Sequence, residues 1–148
     1  MSLKDRLQED MKAAMRARDK ERLAAIRLIL AAIKQREVDE RIALDDAQVI
    51  RVLERMLKQR SESIAHFQQA DRQDLVAKEA FEIDVIQHYM PSPLSDADID
   101  ALIALAIADA GAQSIRDMGR VMARLKEDLQ GRADMADVSS RVKARLAG

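Results

Sequence analysis

The sequence predicts an all-α protein, and three observations support this prediction. Glycine and proline together make up only six of the 148 residues, about 4%, where average usage gives roughly 12%. The 48% of hydrophobic residues include only three aromatics and are almost all Ala, Leu, Ile, Val and Met, which mostly favour helices or tolerate them well. Apolar residues recur at spacings of three and four, which is typical of one face of a helix.

The first two helices are predicted from a cap and from apolar spacing. Ser2 can cap the first helix, because its side-chain oxygen can accept a hydrogen bond from an N–H of the first turn. The charged stretch 16–20 separates this helix from the second, which fades through residues 34–41. The residues expected to face the core are Leu3, Leu7, Met11, Ala14 and Met15 in the first helix, and Leu23, Ile26, Leu30 and Ile33 in the second.

Two cap-like spacings predict the third and fourth helices. Asp45 with Gln48 resembles a capping box, in which each side chain satisfies a backbone N–H of the other residue. Asp71 with Asp74 repeats that spacing. The residues expected to face inward are Val49, Val52, Met56, Ile64 and Phe67 in the third helix, and Leu75, Phe81, Val85 and Tyr89 in the fourth. Four amphipathic helices joined by short loops can enclose a bundle core.

The clearest boundary lies at Met90-Pro91-Ser92-Pro93-Leu94. Each proline lacks an N–H and restricts the residue before it to extended geometry, so a helix must stop there. The sequence therefore predicts a four-helix domain over residues 1–90, a proline-rich hinge over 91–94 and a smaller three-helix domain over 95–148.

The last three helices are predicted to begin at Ser95, at Ser114 with Asp117, and near Asp134. Gly111 is a plausible left-handed cap for the fifth helix, and the sixth helix is expected to end before a second glycine, Gly131. The residues expected to pack are Ile99, Leu102, Ile103 and Ala106; then Ile115, Met118, Val121, Met122 and Leu125; then Val138, Val142 and Leu146.

The composition excludes several kinds of chemistry. The absence of cysteine removes disulfides, thiolate metal sites and cysteine nucleophiles, and four scattered glycines cannot build a phosphate-cradling loop. The pairs Glu62/His66 and Asp84/His88 could bind a metal only by facing each other, and solvent-exposed contacts on helix surfaces are the simpler interpretation. We therefore predict no catalytic residue, no metal and no cofactor. The charged N-terminus and the lack of a long apolar run predict a cytoplasmic protein outside membranes.

Charge is distributed unevenly along the chain. Residues 1–60 hold 15 Lys/Arg against 11 Asp/Glu, residues 61–110 hold 2 against 10, and residues 111–148 hold 8 against 5. Two mildly basic ends around an acidic middle predict either self-complementary packing or a surface divided between partners.

A row of arginines is the strongest candidate for binding nucleic acid. Arg116, Arg120 and Arg124 recur every four residues on the sixth helix, and Lys143 is one of the basic residues that follow. Such an edge can neutralise phosphates without reading sequence. The alternative is that the row is an ordinary solvated helix face. Acidic residues interrupt it, and Tyr89 is the one aromatic residue near this part of the sequence that could stack on a base.

Several runs of residues resemble the YqeY family, whose members are similar to the tail of GatB, the tRNA-binding subunit of the glutamine-dependent aminoacyl-tRNA amidotransferase. The matching runs include Arg27-Leu28-Ile29-Leu30-Ala31-Ala32-Ile33-Lys34, Lys58-Gln59-Arg60-Ser61-Glu62-Ser63-Ile64, Tyr89-Met90-Pro91, Asp117-Met118-Gly119-Arg120-Val121-Met122 and Gly131-Arg132-Ala133-Asp134, and shorter ones such as Glu37-Val38-Asp39 and Arg72-Gln73-Asp74-Leu75. The resemblance covers essentially the whole chain. Family members often have glycine where Asp71, Ala123 and Met135 stand, and proline near Glu127.

The resemblance implies a four-helix bundle followed by a three-helix bundle, and kinship with a carbon–nitrogen ligase that uses glutamine as amide donor. The catalytic parts of that complex match nothing in this chain, which is similar to the tRNA-contacting appendage. The resemblance also implies a loop at Gly131 and Arg132 that can meet a phosphate. The predicted RNA-binding residues are Arg116, Arg120, Arg124, Gly131, Arg132 and Lys143.

Three functional hypotheses follow. The first is a non-catalytic module associated with tRNA or other RNA. The second is an adaptor that docks on the amidotransferase or on a translation protein through its acidic middle, without binding RNA. The third is a component of the ligase itself. The sequence leaves the oligomeric state open.

Overall fold

Helices make up the regular structure of the chain. The computed structural model describes residues 1–129 and 131–147, and within these ranges there are seven α-helices, one short 3-10 turn and no β-strand. The helices are α1 (Leu3–Ala17), α2 (Lys20–Glu40), α3 (Asp46–Gln69), α4 (Gln73–Gln87), α5 (Asp96–Ala110), α6 (Met118–Leu129) and α7 (Met135–Ala147), and the 3-10 turn is Ile115–Asp117. The predicted all-α class is confirmed.

Most of the predicted caps are present. The Asp5 N–H donates to the Ser2 hydroxyl over 3.1 Å, so Ser2 caps α1 as predicted. Asp45 and Gln48 form the predicted capping box, with N–H to oxygen distances of 2.9 and 3.0 Å. Ser95 accepts a hydrogen bond from Asp98 and caps α5. These side chains satisfy N–H groups that a first helical turn leaves unpaired.

The predicted cap of α4 is wrong. The residue that precedes the helix is Arg72, which makes no side-chain cap hydrogen bond, and its guanidinium binds the Asp74 carboxylate over 3.1 Å. Asp71 instead adopts a left-handed backbone conformation with φ of 54°. Only residues 70–72 connect α3 to α4, and this left-handed residue lies in the middle of that short turn.

Contacts divide the chain into two compact units, and the first, Met1–Met90, has an aliphatic core supplied by α1 to α4 and the loop before α3. Its buried residues are Leu3, Leu7, Ala25, Ile26, Ile29, Ile33, Leu44, Val49, Val52, Leu53, Met56, Val85, Ile86 and Tyr89.

Two residues expected in the core of this unit are on its surface. Met15 is 50% exposed and Phe81 is 36% exposed. On helical wheels of about 100° per residue, Met15 lies about 120° from Leu3, and Phe81 lies roughly 90° from the centre of the buried stripe of α4. Met15 is the last member of a long series, and a spacing of three or four keeps residues on one face only over a few turns. In α4 the buried stripe is centred on Glu82, Val85 and Ile86, so Phe81 falls at its edge.

The second unit, Pro91–Gly148, buries its own core among α5, α6 and α7. The buried residues are Ile99, Ile103, Ala106, Val121, Leu125, Leu129, Val138, Val142 and Leu146. Gly111 has a φ of 62° and caps α5, as predicted. Ile115 was expected to pack, but it is 47% exposed because it lies in the 3-10 turn, where the α-helical period does not apply. None of the described helices combines the length and apolar character needed to cross a bilayer.

At Asp71 and Ala123 this chain has another residue where members of the family it resembles often have glycine. These two positions give a matched pair of stability predictions. We expect Asp71→Gly to stabilise the chain by about 0.5–1 kcal/mol, because glycine adopts positive φ without the steric cost that a Cβ incurs. We expect Ala123→Gly to destabilise it by about 1 kcal/mol, because residue 123 lies in the interior of α6. Urea unfolding of both variants measures the changes. A loss of stability in Asp71→Gly would contradict the assigned conformation.

Candidate functional site

The six predicted RNA-binding residues are spread over the second unit. Arg116 lies in the 3-10 turn, Arg120 and Arg124 on α6, Gly131 and Arg132 in the loop after α6, and Lys143 on α7. Arg120 and Arg124 are neighbours on α6, one turn apart, and both extend towards α5.

Arg120 and Arg124 bind carboxylates of their own unit. The Arg120 guanidinium lies 2.6 Å from the Asp117 carboxylate and donates to the Ala110 carbonyl over 3.1 Å. The Arg124 guanidinium lies 3.3 Å from the carboxylate of Asp109 on α5. Both side chains therefore carry a counter-charge before any phosphate arrives.

The surface around Arg124 is acidic. A groove of about 390 Å³ between α5 and α6 is lined by this arginine and by Asp109, Glu127 and Asp128. Three carboxylates around one guanidinium repel a phosphate, and such repulsion is strongest at low salt.

Arg132 is engaged with the segment that follows the first unit. Its Nε donates to the Ser92 carbonyl over 3.2 Å, and its backbone carbonyl accepts from the Leu94 N–H over 2.9 Å. Gly131 has a φ of 78°, in the left-handed region that favours glycine. The loop thus fastens residues 92–94 to the second unit.

Arg116 and Lys143 are exposed. Within the described ranges, neither forms an ion pair. They lie on different elements, the 3-10 turn and α7, and not on one helix face as the row was predicted.

The strongest charge cluster of the second unit was not among the predicted site residues. The Arg141 guanidinium contacts three carboxylates, those of Asp96 at 2.7 Å, Asp137 at 2.9 Å and Asp100 at 3.1 Å. Hydrogen bonds to Asp96 and then Asp100 raise the pKa of Arg141 above its ordinary value. The sequence carried a signal, because α5 holds four aspartates and no lysine or arginine.

The two carboxylate–histidine pairs lie on the surface. Glu62, His66, Asp84 and His88 are all exposed. Among the described residues, no group of three or more His, Asp or Glu side chains is arranged to hold a metal ion.

A largely buried ion pair joins α3 to α4. The Arg60 Nε lies 2.8 Å from the Glu82 carboxylate, and the two side chains are only 14% and 12% exposed. Sequence reasoning missed this pair. Arg60 is four residues after the buried Met56, and Glu82 is three before the buried Val85, so each falls on a buried stripe and needs a partner.

A second polar contact fixes the end of α4 against α1. The Tyr89 hydroxyl donates to the Asp10 carboxylate over 2.5 Å, and the Arg6 guanidinium lies 5.5 Å from the centre of the Tyr89 ring. Burial, followed by the hydrogen bond to Asp10, raises the pKa of Tyr89. Tyr89 therefore keeps its proton and acts as a donor.

Comparison with known proteins identifies the family. The family model for Yqey-like protein matches residues 4–146. This chain belongs to the YqeY family. The expected resemblance is therefore confirmed.

Curated relatives of this YqeY-family chain carry one printed name, Altered inheritance of mitochondria protein 41, mitochondrial. The Pyrenophora tritici-repentis protein is 34% identical over 93% of this chain and 77% of its own length. The Kluyveromyces lactis protein is 37% identical over 70% of this chain and 57% of its own length. The Saccharomyces cerevisiae protein (strain YJM789) is 39% identical over 64% and 52%. The alignments thus span from about half to about three quarters of these relatives' lengths.

These names correct one expectation. The sequence was taken to indicate a cytoplasmic protein, whereas the relatives are named as mitochondrial. The prediction of a cytoplasmic location is therefore wrong. Its basis was the absence of an apolar signal region, and this observation does not distinguish the cytoplasm from an organelle.

The Arg60–Glu82 pair predicts an asymmetric response to mutation. Arg60→Met should destabilise the chain by about 2–4 kcal/mol, because it leaves the Glu82 carboxylate poorly solvated and without its partner. Replacing both members of the pair, in Arg60→Met/Glu82→Leu, removes the unpaired charge and should recover most of the lost stability. Chemical unfolding of the two single variants and the double variant forms a complete cycle. Additive losses would show that the two side chains do not interact.

The contacts of Asp117 predict a low and only partly arginine-dependent pKa. The N–H of Gln113 and then the Arg120 guanidinium lower the pKa of this carboxyl to about 2. Since the folded pKa is depressed, the stabilisation is present above the unfolded value of 3.8 and is lost as the pH falls towards 2. Carbon-detected NMR titration should find this low pKa, and Arg120→Gln should raise it only in part. A normal pKa in the unmodified chain would rule out these contacts.

Proposed function

We propose that this chain is a non-catalytic adaptor that acts by binding another protein. The observation that carries the proposal is a set of large aliphatic and aromatic side chains that the two cores leave outside. They are Leu28 at 45%, Val38 at 59%, Ile42 at 42%, Phe81 at 36%, Leu105 at 57% and Ile115 at 47% exposure. Scattered apolar side chains are normal on a surface, but Leu28 and Val38 both lie on α2, with Ile42 just after its end, and a grouped set of this kind favours a protein contact.

Charge pairing in the second unit favours the adaptor over an RNA-binding module. Arg120, Arg124 and Arg141 bind aspartates of their own unit. Arg132 binds the Ser92 carbonyl. Binding a nucleic acid through these arginines would require breaking the existing contacts, which reduces the gain from each phosphate. The family's similarity to the tail of an amidotransferase subunit makes that complex and translation proteins the first partners to test.

RNA association is the second candidate, because Arg116 and Lys143 remain exposed and without a counter-ion in the described ranges. Among the predicted RNA-binding cations these two are the ones without a carboxylate or carbonyl partner in the described ranges, and two phosphate contacts give weak binding with a shallow salt dependence. This candidate is therefore distinguishable from the adaptor by measurement.

The proposed function is tested by partner capture with and without nuclease. Because the relatives are named as mitochondrial, the tagged chain is incubated with mitochondrial extract, and any captured protein is purified and rebound in isolation. We expect direct binding that survives nuclease. In parallel, filter binding with bulk tRNA at two salt concentrations should show at most weak retention.

The contrary result is equally definite. Capture that disappears with nuclease, together with tRNA binding that Arg116→Gln/Lys143→Gln weakens and Lys126→Gln does not, would replace the adaptor by the RNA-binding module. Lys126 is a suitable control because it is an exposed cation of the same unit.

A further inference from the structure

The outward face of α2 is apolar along most of its length. Ala24, Leu28, Ala31, Gln35 and Val38 are all exposed, and their spacings are four, three, four and three. We call these five residues the outer seam. The seam extends over about 21 Å of helix at 1.5 Å per residue, and Ile42, also exposed, follows just after the helix ends.

The outer seam is additional to the face that α2 uses for its own core. Ile26, Ile29 and Ile33 are buried on the opposite side of the helix. A helix that is apolar on two sides is typical of one that is covered on two sides. Within the described residues, only the inner side is covered.

The spacing of the outer seam is that of a coiled-coil contact. Apolar residues that alternate at three and four form the positions that insert between the side chains of a facing helix. The single polar member, Gln35, lies in the second half of the seam, and a polar residue at such a position selects one register at a cost in affinity.

Two open grooves run beside the seam on one side of α2. The groove against α4 has a volume of about 630 Å³ and includes Ala24, Ala25 and Phe81. The groove against α3 has a volume of about 680 Å³ and includes Ala32 and Gln35. Small alanines at these positions leave room for side chains of a helix laid along the seam.

The other side of the seam carries a row of positive charge. Lys20, Arg27, Lys34 and Arg41 recur every seven residues and are all exposed. We call these residues the basic edge. Across the ranges that the structure describes, none of the four is in an ion pair. This differs from Arg120, Arg124 and Arg141 of the second unit, which are all paired with carboxylates.

We propose that the outer seam docks an amphipathic helix of another protein whose flank is acidic. This proposal rests on the proposed adaptor function and assigns its docking surface. Leu28 and Val38 supply the apolar contact, and carboxylates of the partner pair with the basic edge. Charged residues flanking a coiled-coil contact set partner choice and orientation, so the chemistry of the partner follows from the charge of this edge.

A second copy of this chain fits the seam poorly. An antiparallel pair of α2 helices places the two basic edges side by side, and like charges repel. In a parallel pair, the one carboxylate of the other copy that would lie opposite the basic edge is Asp39, next to Lys34. Asp39 already accepts a hydrogen bond from Gln35 over 2.9 Å. Charge complementarity therefore favours a different, acidic helix.

The experiment uses the full chain and two synthetic three-heptad peptides with identical leucine seams, one flanked by glutamate and the other by lysine. We expect fluorescence anisotropy to show binding of the glutamate-flanked peptide that weakens with salt. Binding of the lysine-flanked peptide should be weaker by about tenfold or more. Leu28→Ser/Val38→Ser should weaken binding of the first peptide by at least about tenfold, whereas Leu105→Ser, an exposed leucine off the seam, should not.

Reversing the charge of the basic edge tests the proposal more directly. Arg27→Glu/Lys34→Glu should reverse the preference between the two peptides, and Lys126→Glu should leave it unchanged. These positions are exposed, so the variants are expected to fold, and circular dichroism verifies this. Equal binding of both peptides, no binding of either, or a preference that does not respond to the swap would overturn the proposal.

Three other outcomes bear on the occupant of the seam and on the adaptor function. If light scattering shows a dimer that Leu28→Ser/Val38→Ser dissociates, a second copy occupies the seam and the acidic partner is wrong. If nuclease-resistant capture persists unchanged in that variant, the adaptor function survives and the seam assignment fails. If the peptide binds but no capture survives nuclease, the seam is a helix-binding surface and the adaptor function fails.

Discussion

The fold depends on burying aliphatic side chains in two separate cores. With only three aromatic residues, each core is built from many medium-sized side chains on consecutive helical turns. A polar group that falls on such a stripe must find a partner, because an unpaired buried polar group costs free energy. Arg60 with Glu82, and Tyr89 with Asp10, are the pairs that meet this requirement in the first unit.

Charge then distinguishes the two units. In the second unit the aspartates of α5 meet arginines of α6 and α7, so its acidic and basic segments neutralise each other. In the first unit the basic edge of α2 remains without an ion pair within the described ranges, next to apolar side chains that face solvent. The unpaired row of positive charge therefore lies on the first unit, although the basic run in the sequence drew attention to the second.

Helix positions were largely predictable from the sequence, whereas the partners of charged residues were not. Caps such as Ser2, Asp45 and Ser95 act within one turn, so a few neighbouring residues determine them. The assignment of Phe81 to the core failed because apolar spacing alone does not locate the centre of a buried stripe. Pairing of Arg124 with Asp109 depends on how two helices pack, which local spacing does not specify. The row of arginines was therefore visible in the sequence, but its neutralisation was not.

The link between Arg132 and residues 92–94 has a practical consequence for dissecting the chain. Leu94 donates its N–H to the Arg132 carbonyl, and Ser92 accepts from the Arg132 side chain. A fragment starting at Ser95 would lack both contacts and would leave the loop after α6 without its attachment. A fragment for separate study of the second half should therefore begin at Pro91, so that both prolines are retained.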